Sequence, residues 1–258
     1  MTSDAHSEPD DDDLEIEINL QPVPIAAARL IAVGAVCRRA FLELDPGAAA
    51  ASDDPEGDRF DLTAWLTEEG LDPHVSPAER HVLNRRIGRL LPEEAEAFSW
   101  QIEAAAALAW SLELLEDAPP LDQPIDPAAL FTLLPSPWDK TRPFRTNAEL
   151  LPEELIAFER ERAELWFWRA SVEADRSVVT GREASDLNAA IREVAAESAA
   201  AGFFPEPIGN DFPVAGHAYR TISPDMAETL AAVATERLRA LNWLCGVSQA
   251  WDAPTEPT

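Results

Sequence analysis

The sequence predicts an all-α protein: a multi-helix globular domain around a central apolar helix at about residues 92–115. Alanine-rich runs recur along the chain, Gly occurs only 10 times and Tyr once, and 46% of the 258 residues are hydrophobic. Alanine is the best helix former, whereas strands favour β-branched and aromatic residues. This apolar fraction is also large enough to supply a buried core.

The N-terminus is an acidic segment. Residues 1–20 contain eight Asp or Glu and no Lys or Arg. Such a segment repels itself and has little to bury, so we expect a disordered acidic tail over residues 1–22. Leu14, Ile16 and Ile18 alternate with polar residues, which is a weak strand pattern that could pair with a sheet edge. A free tail is the simpler interpretation.

The first half of the chain carries clear helix boundaries. A helix with an apolar stripe is predicted from Pro24 to Leu44, followed by a surface loop at 45–59 that is rich in Ala, Asp, Gly and Pro. A short helix at 62–69 ends at Gly70. The residues Ser76-Pro77-Ala78-Glu79 have the form of a capping box and begin the next helix.

The central helix is predicted from its lack of charge. Between Ala97 and Leu112 the one charged residue is Glu103. A helix that is apolar all round is expected to be surrounded by other helices. Beyond it, the Pro-rich segment 118–124 breaks the chain.

The second half contains further helices. A short helix begins at Asp126-Pro127 and ends before Pro135, and an irregular segment is expected at 135–145. The remaining predicted segments are a helix at 150–177, a helix at 184–201 closed by Gly202, a loop at 203–221 with a short strand near 218–221, and a helix from Ser223-Pro224 to Cys245 that ends at Gly246. These bounds predict one α-helical domain over 23–252 and a flexible C-terminus at 253–258.

The charge limits the classes of partner. With 20 Lys and Arg against 48 Asp and Glu, the formal net charge is −28. Nucleic acids and anionic membranes require clustered cations, so we expect neither as a partner. The acidity serves either solubility or the attraction of a basic protein partner, as in an immunity protein that masks a cationic toxin. The sequence does not predict an oligomeric state.

The chain has the features of a cytoplasmic protein. It lacks an apolar segment of the ~20 residues that a membrane-spanning helix needs, and its acidic start is unlike a secretion signal. Cys37 and Cys245 lie far apart within predicted helices. We expect both to be reduced thiols rather than a disulfide.

Several motifs resemble an uncharacterised bacterial family, domain of unknown function 4272. The matching residues are Glu236-Arg237 with Ala240-Leu241-Asn242-Trp243-Leu244, the pair Trp251-Asp252, the central stretch from Phe98 to Trp110, and Arg162 with Trp168-Arg169. The resemblance covers residues 25–252. It implies an α-helical cytoplasmic domain and supplies no reaction.

The chain departs from the family pattern at two places. Members typically continue the central helix as Trp-Ala-Leu-Gly, whereas this chain has Trp110-Ser111-Leu112-Glu113. Members often carry His before the Trp of the long helix, and this chain has Phe167. Any function of that histidine would be missing here.

Three arginines are predicted to face the core. On a helical wheel, Arg237 lies within the apolar face of the last helix. Arg162 and Arg169 share a face of the long helix with an apolar set comprising Leu155, Phe158, Leu165 and Val172. A buried guanidinium needs an acceptor and Glu103 needs a cation, so Glu103 should pair with one of the three, Arg237 first.

Two interpretations of these residues remain open. In the first, Glu103 and Arg237 form a buried structural tie, and Asn242 and Trp243 fix contacts at the helix end. In the second, Arg162, Arg169 and Arg237 line a cleft with Glu103 that binds a carboxylate or phosphate, as in an enzyme or a small-ligand sensor.

No catalytic or metal-binding pattern supports an enzyme. His6, His74, His81 and His217 lack the spacing and the Cys or acid partners of a metal site, so no metal and no cofactor are expected. The leading interpretation is therefore a non-enzymatic interaction or accessory protein, an immunity-type or regulatory partner of a basic protein.

Overall fold

The described residues form a mostly helical protein, which confirms the all-α prediction. The computed structural model describes residues 17–44, 53–176 and 178–255. The helices are α1 (Val23–Leu44), α2 (Pro55–Glu68), α3 (Pro77–Asn84), α4 (Pro92–Ser99), α5 (Gln101–Ser111), α6 (Pro127–Phe131), α7 (Arg142–Asn147), α8 (Glu153–Arg176), α9 (Gly181–Ala200) and α10 (Pro224–Leu244). Short 3-10 helices cover Asp72–His74 and Tyr219–Thr221.

The centre of the fold is α5, as the apolar stretch predicted. Each of its residues from Gln101 to Ser111 is buried. It packs against α1 and α10, while α10 also lies along α8 and α1 along α4. The small side chains of the alanine run in α5 allow this close approach of neighbouring helices on several sides.

The predicted helix at 92–115 is divided into two helices and is shorter. The chain turns at Trp100 between α4 and α5, where the Glu103 amide donates to the Trp100 carbonyl three residues back at 3.0 Å. The end lies at Ser111 because Glu113 adopts a left-handed φ of 57°. The Leu114 amide then donates to the Ala109 carbonyl at 2.9 Å, which closes the helix in a Schellman motif.

The second helix begins earlier than predicted. Residues 55–61 belong to α2, although the sequence placed them mostly in a surface loop. The Asp54 side chain accepts a hydrogen bond from the Gly57 amide at 3.0 Å, and Pro55 occupies the first helical position. The Asp-Pro pair is a helix start signal that the Ala- and Gly-rich composition around it concealed.

Two segments that were predicted to be irregular contain short elements. Residues Arg142–Asn147 form α7 within the region assigned as irregular up to 145. In the loop at 203–221, strands Pro213–Val214 (β1) and His217–Ala218 (β2) pair antiparallel. The strand expected near 218–221 is thus displaced, and Tyr219–Thr221 is a 3-10 helix instead.

The described end of the predicted acidic tail lies against the last helix. The Asn19 amide donates to the Cys245 carbonyl at 2.9 Å, and the Gln21 amide donates to the Leu244 carbonyl at 2.8 Å. Gly246 is required at this contact, because a Cβ there would lie 2.6 Å from the Asn19 carbonyl oxygen. Residues 19–21 are therefore hydrogen-bonded to the end of α10.

Parts of four predicted segments lie outside the described residues. They are residues 1–16 of the acidic tail, with Leu14 and Ile16 of the weak strand pattern, residues 45–52 of the first loop, residue 177 at the end of the helix at 150–177 and residues 256–258 of the C-terminus. Across the ranges that the structure does describe, no helix combines the length and the hydropathy needed to cross a membrane.

Candidate functional site

The predicted pair of Glu103 and Arg237 is present and buried. Both guanidinium nitrogens that face the acid, Nε and Nη2, donate to Glu103 Oε2, at 3.0 and 2.7 Å. The Glu103 side chain is fully buried, and that of Arg237 is 3% exposed. The second carboxylate oxygen accepts a hydrogen bond from the Ile125 amide at 2.8 Å. The pair therefore joins α5 to α10 and fixes the chain that follows the Pro-rich break.

The remaining donors of Arg237 are satisfied by the backbone. Nη1 donates to the carbonyls of Pro119 and Pro120 at 2.9 and 2.6 Å, and Nη2 donates to that of Gln123 at 3.1 Å. With the two bonds to Glu103, these contacts use all five N–H donors of a guanidinium. Arg237 has no donor left for a ligand.

Arg162 and Arg169 lie on α8 and bind partners other than Glu103. Arg162 is partly exposed and binds Glu159 on its own helix and the Phe203 carbonyl, the latter at 2.9 Å. Arg169 is buried and binds Asp211, before β1. The three arginines thus have separate partners, and they do not form the shared anion-binding cleft that the second interpretation required.

The buried side of α8 also differs from the predicted one. Leu155 and Phe158 are 49% and 39% exposed, although the wheel placed them inward. The buried arginine of this turn is Arg160, which the sequence did not single out. Its Nε donates to the side-chain oxygen of Asn242 at 2.8 Å, and its Nη1 lies 3.0 Å from Glu164.

The arginine–aspartate pair of Arg169 and Asp211 is bidentate. Nε and Nη2 lie 2.7 and 2.9 Å from the two carboxylate oxygens, which also accept from the backbone amides of Phe212 and Arg220. Burial alone would raise the pKa of Asp211, but the hydrogen bonds and charge of Arg169 outweigh it and lower this pKa. The pair ties α8 to the hairpin.

Asn242 and Trp243 make the contacts at the end of α10. The Asn242 carbonyl accepts from the Ser248 amide at 3.0 Å while its side chain binds Arg160. The indoles of Trp243 and Trp251 meet edge to face with ring centroids 5.6 Å apart. These contacts turn the chain after Gly246 back over the protein.

A second buried cluster was not predicted. Arg29 of α1 forms a buried ion pair with Glu79 of α3, and its guanidinium carbon lies 3.8 Å above the Trp251 ring. Nearby, burial raises the pKa of Glu236 to about 7, against the opposing charge of Arg239 and with help from the negative charges of Glu79 and Glu103. Glu79, Glu236 and Trp251 each belong to a motif that is visible in the sequence, but nothing in the sequence places the three together.

An acidic groove on the surface was also missed. A cavity of about 460 Å³ lies between α4 and the first turns of α10. Four exposed carboxylates line it, with the half-buried Trp100 between the two helices; the acids are Glu93, Glu96, Asp225 and Glu228. None of the four forms an ion pair with another described residue. The groove therefore presents uncompensated negative charge beside an aromatic ring.

The described residues contain no group of three or more His, Cys, Asp or Glu side chains arranged to hold a metal ion. Cys37 and Cys245 are both buried free thiols. Burial raises the pKa of each, that of Cys245 to about 11. A buried thiol with a raised pKa forms little of the nucleophilic thiolate.

A comparison with family models places the chain in a family. The model described as Domain of unknown function (DUF4272) matches residues 12–191. The match includes Glu103, Arg162 and Arg169, whereas Arg237, Asn242 and Trp243 lie beyond it. Comparisons with curated proteins and with solved structures gave no match. Since the family model spans more than half of its length, the chain belongs to the DUF4272 family.

Proposed function

We propose that this chain is a non-enzymatic accessory protein that binds a basic protein partner, as an immunity-type or regulatory protein does. The observation that carries the proposal is the acidic groove between α4 and α10. Its four unpaired carboxylates and Trp100 offer both negative charge and an aromatic ring to a Lys or Arg side chain.

The overall charge supports the same proposal. A net charge of −28 attracts a cationic protein over distances longer than the groove itself, and so raises the association rate. The groove then supplies a defined place where the partner's cations lose water and meet carboxylates. The buried arginines contribute indirectly, since the Glu103–Arg237 pair holds α5, next to α4, against α10. We further propose that the protein acts in the bacterial cytoplasm, where its two free thiols remain reduced.

A synthetic Arg-rich peptide is a defined probe for the groove. Isothermal titration calorimetry should detect binding that weakens as the salt concentration rises. The groove variant combines E93Q, E96Q, D225N and E228Q. It should lower the affinity at least tenfold, because it removes the charge that faces the bound cations.

A matched variant distinguishes the groove from general acidity. The substitutions E154Q, E161Q, E193Q and E197Q remove the same number of charges from exposed positions on α8 and α9. This variant should keep most of the affinity. Equal losses in the two variants would show that the peptide responds to net charge alone, and the groove would no longer support the proposal.

A further inference from the structure

A cluster of cationic side chains lies at the C-terminal end of α3 and in the turn that follows. An open cavity of about 670 Å³ is lined there by Arg80, His81, Arg85, Arg86 and Arg89, together with Pro77 and Asn84. The chain has only 20 Lys and Arg, so four arginines within ten residues are a marked local concentration of positive charge. No part of the mechanism proposed for the acidic groove uses them.

These charges are largely uncompensated, although acids outnumber bases in the chain. The Arg80 guanidinium donates to the carbonyls of Asp72 and Val75 at 3.0 and 3.1 Å, and that of Arg85 donates to the Arg89 carbonyl at 2.8 Å. Carbonyls fix the direction of a guanidinium without cancelling its charge.

No carboxylate of the described residues pairs closely with the cluster. Among the described residues, Arg80, Arg85 and Arg89 form no ion pair, and Arg86 has one long contact of 3.7 Å with Glu56. The Arg86 side chain is 79% exposed, so this contact neutralises little of its charge. The cluster therefore keeps most of its positive charge for a ligand.

Side chains of α1 and α2 bind the backbone of the turn that carries the arginines. Buried Arg39 donates to the Arg85 carbonyl at 3.1 Å, while Glu43 and Glu56 accept from the amides of Leu90 and Ile87 at 3.3 and 2.9 Å. Glu43 and Glu56 thus bind the backbone of the turn, and the 3.7 Å contact between Glu56 and Arg86 is the single ion pair between these carboxylates and the described side chains of the turn.

The turn itself brings two of the arginines together. The Arg89 amide donates to the Arg86 carbonyl at 3.1 Å, and Gly88 between them has a φ of 74°. Residues at the two ends of such a turn have Cα atoms within about 7 Å. Arg86 and Arg89 can therefore contact one small ligand together.

We propose that this cluster is a binding site for a small anion that carries two or more phosphate groups. Guanidinium groups bind phosphate in a bidentate manner, and several arginines in one place match an anion of several charges. The cavity volume lies within the usual range of small-molecule sites. This site is separate from the acidic groove and does not depend on the proposed function.

The net charge favours a small anion over a polymer. A nucleic acid extends beyond the cluster by more than the Debye length of about 8 Å, and its outer phosphates would face a chain of net charge −28. A small phosphate compound stays within the range of the four arginines. The overall negative charge of the protein therefore favours a small anion over a large polyanion at this site.

Pyrophosphate is the probe for this site. Titration calorimetry with the full chain should show saturable binding that weakens between low and physiological ionic strength. R85A and R89A should each lower the affinity about tenfold, and the double variant more, because each removes a charge-assisted contact. R192A removes an exposed arginine of α9 that forms no ion pair with another described residue, and should leave the affinity unchanged.

The outcomes separate the alternatives. Thermal unfolding should show that R85A and R89A fold as the wild type does, so a loss of affinity reports on the site. An equal loss with R192A, or an undiminished affinity in the double variant, would overturn the assignment. So would the absence of pyrophosphate binding, or a tighter binding of a single-stranded oligonucleotide than of pyrophosphate in the same buffer.

Discussion

Glu103 and Arg237 lie 134 positions apart in sequence and share two hydrogen bonds in the interior of the protein. Arg237 gives its other donors to carbonyls of the Pro-rich segment, and Glu103 accepts from the amide of Ile125. The two side chains thus join the central helix, the last helix and the connection after α5. In this arrangement all the N–H donors of Arg237 and both carboxylate oxygens of Glu103 are engaged by the protein itself.

Loss of one partner of this pair should strongly destabilise the fold. E103Q leaves the buried Arg237 charge unpaired, and R237M leaves the buried carboxylate unpaired, so each should lower the free energy of unfolding by about 3–5 kcal/mol. Urea denaturation measures this change. The double variant E103Q/R237M should lose less than the sum of the single variants, because no unpaired charge is left.

An exposed ion pair provides the control for that experiment. Arg182 lies 3.6 Å from Asp186, with both side chains mostly exposed. R182A should therefore lower the free energy of unfolding by less than about 1 kcal/mol. Comparable losses in R182A and E103Q would contradict the assignment of the buried pair as a main tie of the fold.

Glu236 should make the stability depend on pH near neutrality. Its pKa is raised from 4.5 to about 7 in the folded state, chiefly by burial, so the folded state binds more protons between these values. The stabilisation from the neutral form is complete below pH 4.5 and is lost as the pH rises through 7. Above that pH, E236Q should be more stable than the wild type by about 3 kcal/mol.

Thermal or urea unfolding across the pH range tests this prediction. The wild type should lose stability from about pH 5 to pH 8, whereas E236Q should show a flatter profile in the same window. R182A is the control, because Arg182 is exposed and this variant keeps Glu236. Its stability should depend on pH in the same way as that of the wild type. Parallel profiles for E236Q and the wild type would mean that Glu236 is ionised in the folded protein at neutral pH.

The sequence could predict the pairing of Glu103 with Arg237, because Glu103 is a lone charge in a buried helix. Glu103 lies in a stretch without another charge, and a buried acid requires a cation, so the pairing follows from the cost of desolvation. The choice of Arg237 follows from its place within the apolar face of α10. Both inferences rest on the apolar pattern of one helix and on the high free-energy cost of burying an unpaired charge.

The orientation of α8 could not be predicted in the same way. Apolar residues occur on more than one side of this helix, so a wheel does not define its buried face. Leu155 and Phe158 face partly outward, whereas Ile156, Ala163 and Trp166 are buried. The rotation that favours the second set depends on α10 and on the hairpin, which are remote in sequence.

Two other features depended on tertiary structure. Trp100 is compatible with a helix, and nothing in the local sequence marks the turn between α4 and α5. The acidic groove needs α4 and α10 to lie side by side, with Glu96 and Asp225 far apart along the chain. Charge composition predicted an acidic surface, but the position of the groove follows only from packing.

Both cysteines should resist alkylation in the folded protein. Cys37 and Cys245 are buried and unpaired, and burial raises the pKa of each thiol. Iodoacetamide requires access and a thiolate, so intact-mass spectrometry should detect no adduct under native conditions and two adducts in urea. Rapid native labelling of either thiol would contradict the packing around Cys37 within α1 and around Cys245 at the end of α10.

Substitution of Glu113, two residues after the end of α5, should increase the stability of the protein. Glu113 is exposed and adopts a left-handed φ of 57°, which costs a residue with a Cβ about 1 kcal/mol. Glycine adopts this conformation without that strain. E113G should therefore raise the free energy of unfolding by about 0.5–1 kcal/mol.

E113A is the matched control, because alanine removes the carboxylate but keeps the Cβ and its strain. It should leave the free energy of unfolding within about 0.5 kcal/mol of the wild-type value. An equal gain from E113A and E113G would assign the effect to the lost charge at the helix C-terminus, where a carboxylate opposes the helix dipole. A gain confined to E113G would assign it to the backbone conformation that ends α5.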